Sequence, residues 1–515
     1  MALSFIKADA LGEHFCRVHS LDRDKVLPIE YVDPAYLVRS TRLDLPSKIT
    51  YAKEYIKGTL TNQAILDYKS FIGAFSSNTF AEGDGSKSSF KEFKTAFEHL
   101  IDSIRNNGFD PKHAVPVGEN NTIIGGAHRT AIMVALKQHI PIVRIDGLVA
   151  NYDANYFKER DVADEVIEAS LTRLANYIEG SVFMLWPSMT SKQQKLALDL
   201  IKGKGHVIYQ REDYFNFEGL HALVAMTYIE HSWVGTPIDR YSGAINKAKQ
   251  ISGKLRAPLI TLLVEGGGSE AAELKLEIRD ALNCGNAGVH CTDNNKETVY
   301  LLNILLNTNT RHLLIKGRPF HFKKYIDSVM QYRQKIINNK LSVDDFCIVS
   351  SGVLGLYGLR LPNDIDFLSL SDNYNSILDE NIESHHHVIV DGAKRLELID
   401  HPVNYIRFFD IKIIAPKAFI STNNCRREKT KINDIAQINM LLRNKEGGGI
   451  FYRCKSRCYQ LLRKVRSSRF GINFFLYFVS QSPILSPVYR QLKRNKLMRF
   501  LNNQLSVIVN KMPKW

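Results

Sequence analysis

FCIVSSGVLGLYGLRLPNDIDFLSL, residues 346–370, strings its parts in a specific order: an apolar strand, a Ser-Ser-Gly turn, a helix, then a strand bearing two aspartates. Side chains along a strand alternate faces, so Asp364 and Asp366, two positions apart, share one face. Adjacent carboxylates repel unless a cation lies between them, and Mg²⁺ suits that hard oxygen environment when a nucleoside triphosphate completes its shell. The Ser350-Ser351-Gly352 turn offers backbone donors that can wrap a triphosphate. A strand end with two solvated acids is the plainer reading of D-x-D alone; the turn and helix before it argue against that.

The order of parts resembles the nucleotidyltransferase superfamily of the polymerase-β type, whose signature is a Gly-Ser turn, a short helix and a D-x-D strand. Here the turn reads SSG instead of GS or GG. The resemblance implies that Asp364 and Asp366 are catalytic and bind Mg²⁺, that Ser351 and Gly352 hold nucleotide phosphates, and that a third carboxylate comes from a neighbouring strand. Asp410 in IRFFDIKII is the candidate, with Asp391 and Glu397 as rivals. Downstream, KAFISTNNCRREKTKINDIAQINMLL supplies Lys417, Lys431 and Asp434, which is similar to the K...K..D helix that closes such domains.

A second motif, IIGGAHRTA at residues 123–131, sits where HAVPVGENNTIIGGAHRTAIMVAL reads as strand, turn at Glu119-Asn120-Asn121, strand, Gly-Gly and helix. Gly125 and Gly126 let the backbone approach a ligand, the helix start offers free N–H groups and a positive dipole end, and His128 and Arg129 add donors. These are parts for holding a phosphate. A Gly-Gly turn with an arginine paired to a neighbouring loop is the structural alternative. Around the motif, VLPIEYV (26–32) reads as a strand and is followed by a loop with Arg39 and Arg42. SSNTFAEGDGSKSS (76–89) reads as a mobile loop, FKEFKTAFEHLIDSIRNNG as an amphipathic helix stopped by Gly108, and IPIVRI as a closing strand.

This arrangement resembles the ParB/sulfiredoxin superfamily, in which GGCHR or DGHHR at a helix start binds nucleotide phosphates. Ala127 stands where sulfiredoxins carry their reactive cysteine, so sulfinic acid repair is not expected. No helix-turn-helix continuation of the chromosome-partitioning kind follows. The resemblance leaves relatives that phosphorylate small molecules, with His128 and Arg129 on the phosphates and Glu30, Asp44 or Glu119 as the base.

Between the two motifs, FMLWPS, HVIYQR and APLITLLVEG read as buried strands, and ALVAMTYIEHSWVG and KETVYLLNILLN as helices, which argues for an α/β layer. KLEIRDALNCGNAGVHCTDNNKET gathers Lys275, Arg279, His290, Thr292, Asp293 and Glu297. Lys275 and Arg279, four apart on one helix face, can grip an anion; equally, Thr292 or Asp293 can cap the following helix.

Charge is unevenly spread. Residues 449–515 hold fourteen Lys and Arg and no Asp or Glu, so of the net +15 only +1 belongs to residues 1–448. The tail interleaves these bases with FFLYFV, ILSPVY and RQLKRNKLMRFLNNQLSVIV, which suits an anionic membrane surface, while Pro483 and Pro487 interrupt any spanning helix. A tail packed on the body and a nucleic-acid contact are the other readings. With no apolar run of roughly 20 residues and no signal peptide, the expected location is cytoplasmic, peripheral to the inner face of the cell membrane. The seven cysteines, Cys16, Cys284, Cys291, Cys347, Cys425, Cys454 and Cys458, lack zinc-site spacing and read as reduced and structural. His385, His386 and His387 alternate faces and read as surface or strand-edge residues, not as a metal site.

The expected architecture is α/β multidomain: a ParB/sulfiredoxin-like domain (1–150), a central α/β domain (151–320), a nucleotidyltransferase-like domain (321–446) and a basic amphipathic tail (447–515). The expected function is nucleotide-dependent phosphoryl or nucleotidyl transfer, with Mg²⁺ and ATP or CTP, to a sugar or polyol. Similar multidomain chains suggest bacterial capsule or lipopolysaccharide assembly. A ParB-like nucleic-acid-binding protein and a non-catalytic scaffold with decayed nucleotide sites are the alternatives.

Overall fold

Among the described residues, short apolar runs separated by amphipathic helices fold into four separate β-sheets, and the chain is mixed α/β. The computed structural model describes residues 4–81, 86–253, 257–424 and 428–443. Residues 1–438 make one unit and 439–515 a second. The basic tail, with Cys425, Cys454, Cys458 and part of the 76–89 loop, lies outside the described residues.

The first sheet pairs β1 (Phe5–Lys7) antiparallel with β2 (Val26–Pro28). The second contains β3 (Glu30–Val32), β4 (Val115–Val117) and β5 (Ile140–Arg144) in the order β3-β5-β4, with β4 parallel to β5. The expected single strand VLPIEYV is therefore two strands in two sheets. Pro28 has no N–H to donate and ends its ladder, which frees the chain to change sheets at Ile29. The strand expected before Gly-Gly is reduced to one bridge, Val117 to Ile123.

The third sheet contains β6 (Gly180–Leu185), β7 (Val207–Asp213), β8 (Leu259–Glu265) and β9 (Val289–Cys291), ordered β7-β8-β6-β9 with every ladder antiparallel. All of β6 is buried, as its apolar run requires. Phe183, Leu185, Ile260 and Leu262 pack against Ile201 from the helix Ser191–Lys204 and Ile278 from the helix Ser269–Ala281. Burying each such side chain contributes about 1.5–3 kcal/mol.

The fourth sheet contains β10 (Phe346–Ile348), β11 (Ile365–Ser369), β12 (Ile382–Ser384), β13 (Tyr405–Phe408) and β14 (Ile411–Ile414), ordered β12-β11-β10-β14-β13. β10 runs antiparallel to β11 and parallel to β14. Burial pushes the thiols of Cys291 in β9 and Cys347 in β10 up to about 12, so both stay protonated and inert.

Buried polar nodes tie these layers together. His401, fully buried, bonds Glu54 and Thr61 through Nε2 (both 2.9 Å) and faces the Arg173 guanidinium through Nδ1 at 3.1 Å. Glu168 accepts from Arg211 (2.8 Å), Arg311 (2.7 Å) and Tyr209 (3.0 Å). Among the described residues no helix is long and apolar enough to cross a membrane.

Candidate functional site

The turn after β10 forces Ser350 into a left-handed conformation, φ 56°, before the short helix Gly352–Leu356 begins. A serine there carries a steric cost of roughly 1–2 kcal/mol, so the surroundings must hold it. Part of that hold is visible: Lys431, on the helix Lys429–Arg443, donates to Ser350 Oγ at 2.7 Å. Only glycine fits at Gly352, where a Cβ would lie 2.7 Å from Ile348 Cγ2 and 2.9 Å from the Tyr325 hydroxyl.

Asp364 immediately precedes β11 and Asp366 lies within it, on the same face. Asp366 is buried, and its backbone carbonyl accepts from Val349 N–H at 2.7 Å, which pins the aspartate strand to the end of β10 that leads into the serine turn. The two carboxyls are pushed apart. Burial raises Asp364, and the charges of Asp366 and Glu383 raise it further. Burial would also raise Asp366, but His385, Ser350 and Lys431 outweigh it and hold that carboxyl below its ordinary value. His385 Nε2 sits 3.0 Å from Asp366 Oδ1.

Sequence reasoning missed both His385 and Glu383. β12 runs parallel to β11 with Glu383 opposite Asp366, and the chain then turns at residues 385–388. His385 is thus part of the site and not a bland surface histidine. The D-x-D pattern says nothing about which strand lies alongside it, and no local signal in DENIESHHH announces the pairing.

Asp410, the expected third carboxylate, is not brought to the pair. Both its oxygens are held by Arg333, at 2.6 and 2.7 Å. By register it is level with Asp345, whereas Asp366 is level with Val349; four residues along the ladder is on the order of 13 Å. The rivals are also occupied: Asp391 caps the helix Gly392–Asp400, and Glu397 pairs with Lys394 at 3.4 Å. Of the closing helix, Lys431 reaches the turn, while Asp434 makes a two-pronged bond to Arg360 (3.0 and 2.8 Å) and Lys417 is exposed.

The donor chemistry at Asp364 and Asp366 fits Mg²⁺, which needs one or two carboxylates and otherwise keeps water and phosphate ligands. Like-charge crowding at Asp364 is the condition a cation relieves. Among the described residues no three His, Cys, Asp or Glu side chains form a ready-made cluster for a metal.

At the second motif Gly126 is left-handed, φ 81°, and opens the helix Ala127–Leu136. A Cβ there would meet Arg129 Nη2 and Val115 Cγ2 at 3.0 Å, so the arginine folds back over the glycine. Arg129 donates to the His113 carbonyl and has no carboxylate partner among the described residues. The Gly125-Gly126 turn thus keeps a half-buried, uncompensated cation at a helix start.

His128 departs from expectation. Its ring packs against Tyr68 and Phe97, and its Nε2 lies 3.0 Å from the Tyr68 hydroxyl. Burial, followed by the charge of Lys48, pushes its pKa well down, so it is neutral and adds no charge to a phosphate site. Asp44 is excluded as a base. It is fully buried, gripped by Arg42 (3.0 and 2.9 Å) and bonded by Lys48, and those cations outweigh burial to hold it far below the carboxylate range. Glu30 is spent on Arg144 at 2.9 Å, and Glu119 is exposed in the turn before the motif. Arg39, two residues past the Pro34–Leu37 turn that packs on this helix, has a buried Nε with no hydrogen bond among the described residues.

A cavity of about 910 Å³ lies at neither motif. Ser369, at the far end of β11 from Asp364, is in its wall, together with Arg407 and Lys412. No protein-family model matches the chain, and neither a curated protein nor a solved structure matches it.

Proposed function

We propose that the chain transfers a phosphoryl or nucleotidyl group from ATP or CTP to a hydroxyl acceptor at the Asp364/Asp366 face. The observation that carries this reading is the convergence of Lys431 and Ser350 on Asp366, beside Asp364 on the same strand face and around a turn that admits only glycine at Gly352. Mg²⁺, held by Asp364 and Asp366, would neutralise charge on the transferring phosphate. Lys431 supplies a fixed positive charge beside the turn, where nucleotide phosphates would lie. His385 keeps Asp366 ionised, and with both aspartates engaged by the cation the proton of the acceptor hydroxyl passes to solvent. The acceptor oxygen forms a bond to phosphorus as the bond to the leaving diphosphate, or nucleoside diphosphate, breaks in line.

The acceptor class is a sugar or polyol, as surface polysaccharide assembly requires. The Gly125-Gly126-Arg129 turn is a second anion-holding point that fits a phosphorylated substrate or product. The basic, aromatic sequence of residues 449–515 fits attachment to an anionic membrane surface.

Label transfer tests the reading. With ATP or CTP labelled at the α- or γ-phosphate and a panel of sugars and polyols, label moves to an acceptor in the wild-type chain and not in Asp364→Asn/Asp366→Asn. A moving α-label means nucleotidyl transfer and a moving γ-label phosphoryl transfer. Transfer that is undiminished in the double variant overturns the assignment.

A further inference from the structure

A second cavity, of about 580 Å³, is lined by residues between 228 and 297, well separated in sequence from either motif. Its lining includes three bases and two carboxylates, of which Glu297 lies 3.3 Å from His290. Lys247 comes from the helix Ser242–Ile251, and Lys275 and Arg279 from the helix Ser269–Ala281. Lys275 is matched by Asp293 at 2.7 Å. The other two are not matched: Lys247 donates to the Asn286 carbonyl (2.7 Å) and Arg279 to the Val289 carbonyl (3.0 Å), and neither has a carboxylate partner among the described residues. The Arg279 Nε is buried and makes no hydrogen bond among those residues. Burial and the nearby Arg279 charge both lower the Lys247 pKa, the signature of two cations drawn together without an anion between them.

Aromatic rings line the same cavity. Trp233 is 45% exposed, a large value for an indole beside a cavity, and its ring lies 5.3 Å from that of Tyr228. Tyr228 in turn packs edge-on to His290 at 5.2 Å and bonds His290 Nδ1 at 3.1 Å. The backbone holds Trp233 in place. A Cβ at Gly243 would strike the Trp233 carbonyl oxygen at 1.7 Å, so the Trp233 turn lies directly on the start of the helix that supplies Lys247.

Two cations without carboxylate partners and an exposed indole lining one cavity match one ligand chemistry: an anionic group and a flat ring in the same molecule. Thr292 and Asp293, expected as alternatives for helix capping, leave that work to Asn294, whose side chain accepts from Glu297 N–H. We propose that this cavity is a binding site for a nucleoside phosphate, with the phosphate on Lys247 and Arg279 and the base against Trp233.

Trp233 is one of three tryptophans, with the buried Trp186 and Trp515, which lies outside the described residues, so its share of the indole signal is the part lost in Trp233→Phe. The full chain carrying Asp364→Asn/Asp366→Asn, in EDTA, removes Mg²⁺-dependent binding at the other site. Under those conditions AMP or UMP should quench indole fluorescence saturably, and Trp233→Phe should abolish the quench. Arg279→Met and the milder Lys247→Gln should each weaken binding about tenfold or more while melting near the parent temperature. Inorganic phosphate and ribose 5-phosphate should displace the nucleotide only at higher concentration and without quenching. No saturable quench, or a quench indifferent to Lys247→Gln, overturns the proposal. Ribose 5-phosphate binding as tightly as AMP overturns the assignment of the base to Trp233. A failed label-transfer experiment at Asp364/Asp366 leaves these outcomes unchanged.

Discussion

Lys431 Nζ lies 2.7 Å from Ser350 Oγ, joining the helix Lys429–Arg443 to the strained serine turn 81 positions earlier in the chain. This contact binds the turn, the aspartate strand and the closing helix into one arrangement. It predicts that Lys431→Met weakens Mg²⁺-nucleotide binding about tenfold, equivalent to about 1.4 kcal/mol, by titration calorimetry. An unchanged affinity removes Lys431 from the phosphate site.

His385 is predicted to set the acid limb of that binding. It is the largest influence holding the Asp366 carboxyl down. In His385→Ala the carboxyl rises towards its ordinary value, so binding fails at a higher pH on acidification than in the wild type. Affinity measured from pH 4 to 8 checks this; superimposable profiles contradict it.

Asp410→Asn separates site from scaffold. The Arg333–Asp410 pair is partly exposed, so its loss costs about 1 kcal/mol or less in stability. Nucleotide affinity and transfer should not change. A large loss of transfer with normal folding would restore Asp410 as a third ligand.

Asp44→Ala strands two buried cations, Arg42 and Lys48. Breaking such a buried group from one side costs about 3–5 kcal/mol, read as a drop in denaturation midpoint. A near-neutral change would mean that these charges are solvated.

Acid stability follows from His312, whose pKa burial lowers to about 4 from the ordinary 6.5. The unfolded chain takes up that proton first, so the contribution is fully present above pH 6.5 and is lost as pH falls towards 4, by up to about 1.4 kcal/mol per pH unit. His312→Gln should flatten this slope in thermal melts across that range.

What was legible in the sequence is what local chemistry decides. The period of two put Asp364 and Asp366 on one face, and the glycines announced turns at Gly126 and Gly352 that tolerate no side chain. What was not legible depends on register and strand order. Nothing near Asp410 says that its strand runs parallel to β10 and delivers it to the wrong end of the sheet. The same holds for Glu383 and His385, brought in by β12. The resemblance offered Asp44 as one of three acidic candidates for the base, but its burial against Arg42 and Lys48 is a tertiary fact that makes it a locked ion pair. His128 was read by its motif, and its aromatic packing on Tyr68 and Phe97 is a tertiary fact.

The central claim, that the Asp364/Asp366 face holds a Mg²⁺-nucleotide, is tested most directly by thermal unfolding of the full chain with ATP or CTP, comparing Mg²⁺ with EDTA. The account predicts a Mg²⁺-dependent stabilisation approaching about 2.7 kcal/mol at a hundredfold excess over Kd. It is absent in Asp364→Asn/Asp366→Asn and kept in Arg129→Ala and Arg279→Met. A Mg²⁺-dependent rise that survives in the double variant, or no rise with either nucleotide, would contradict it.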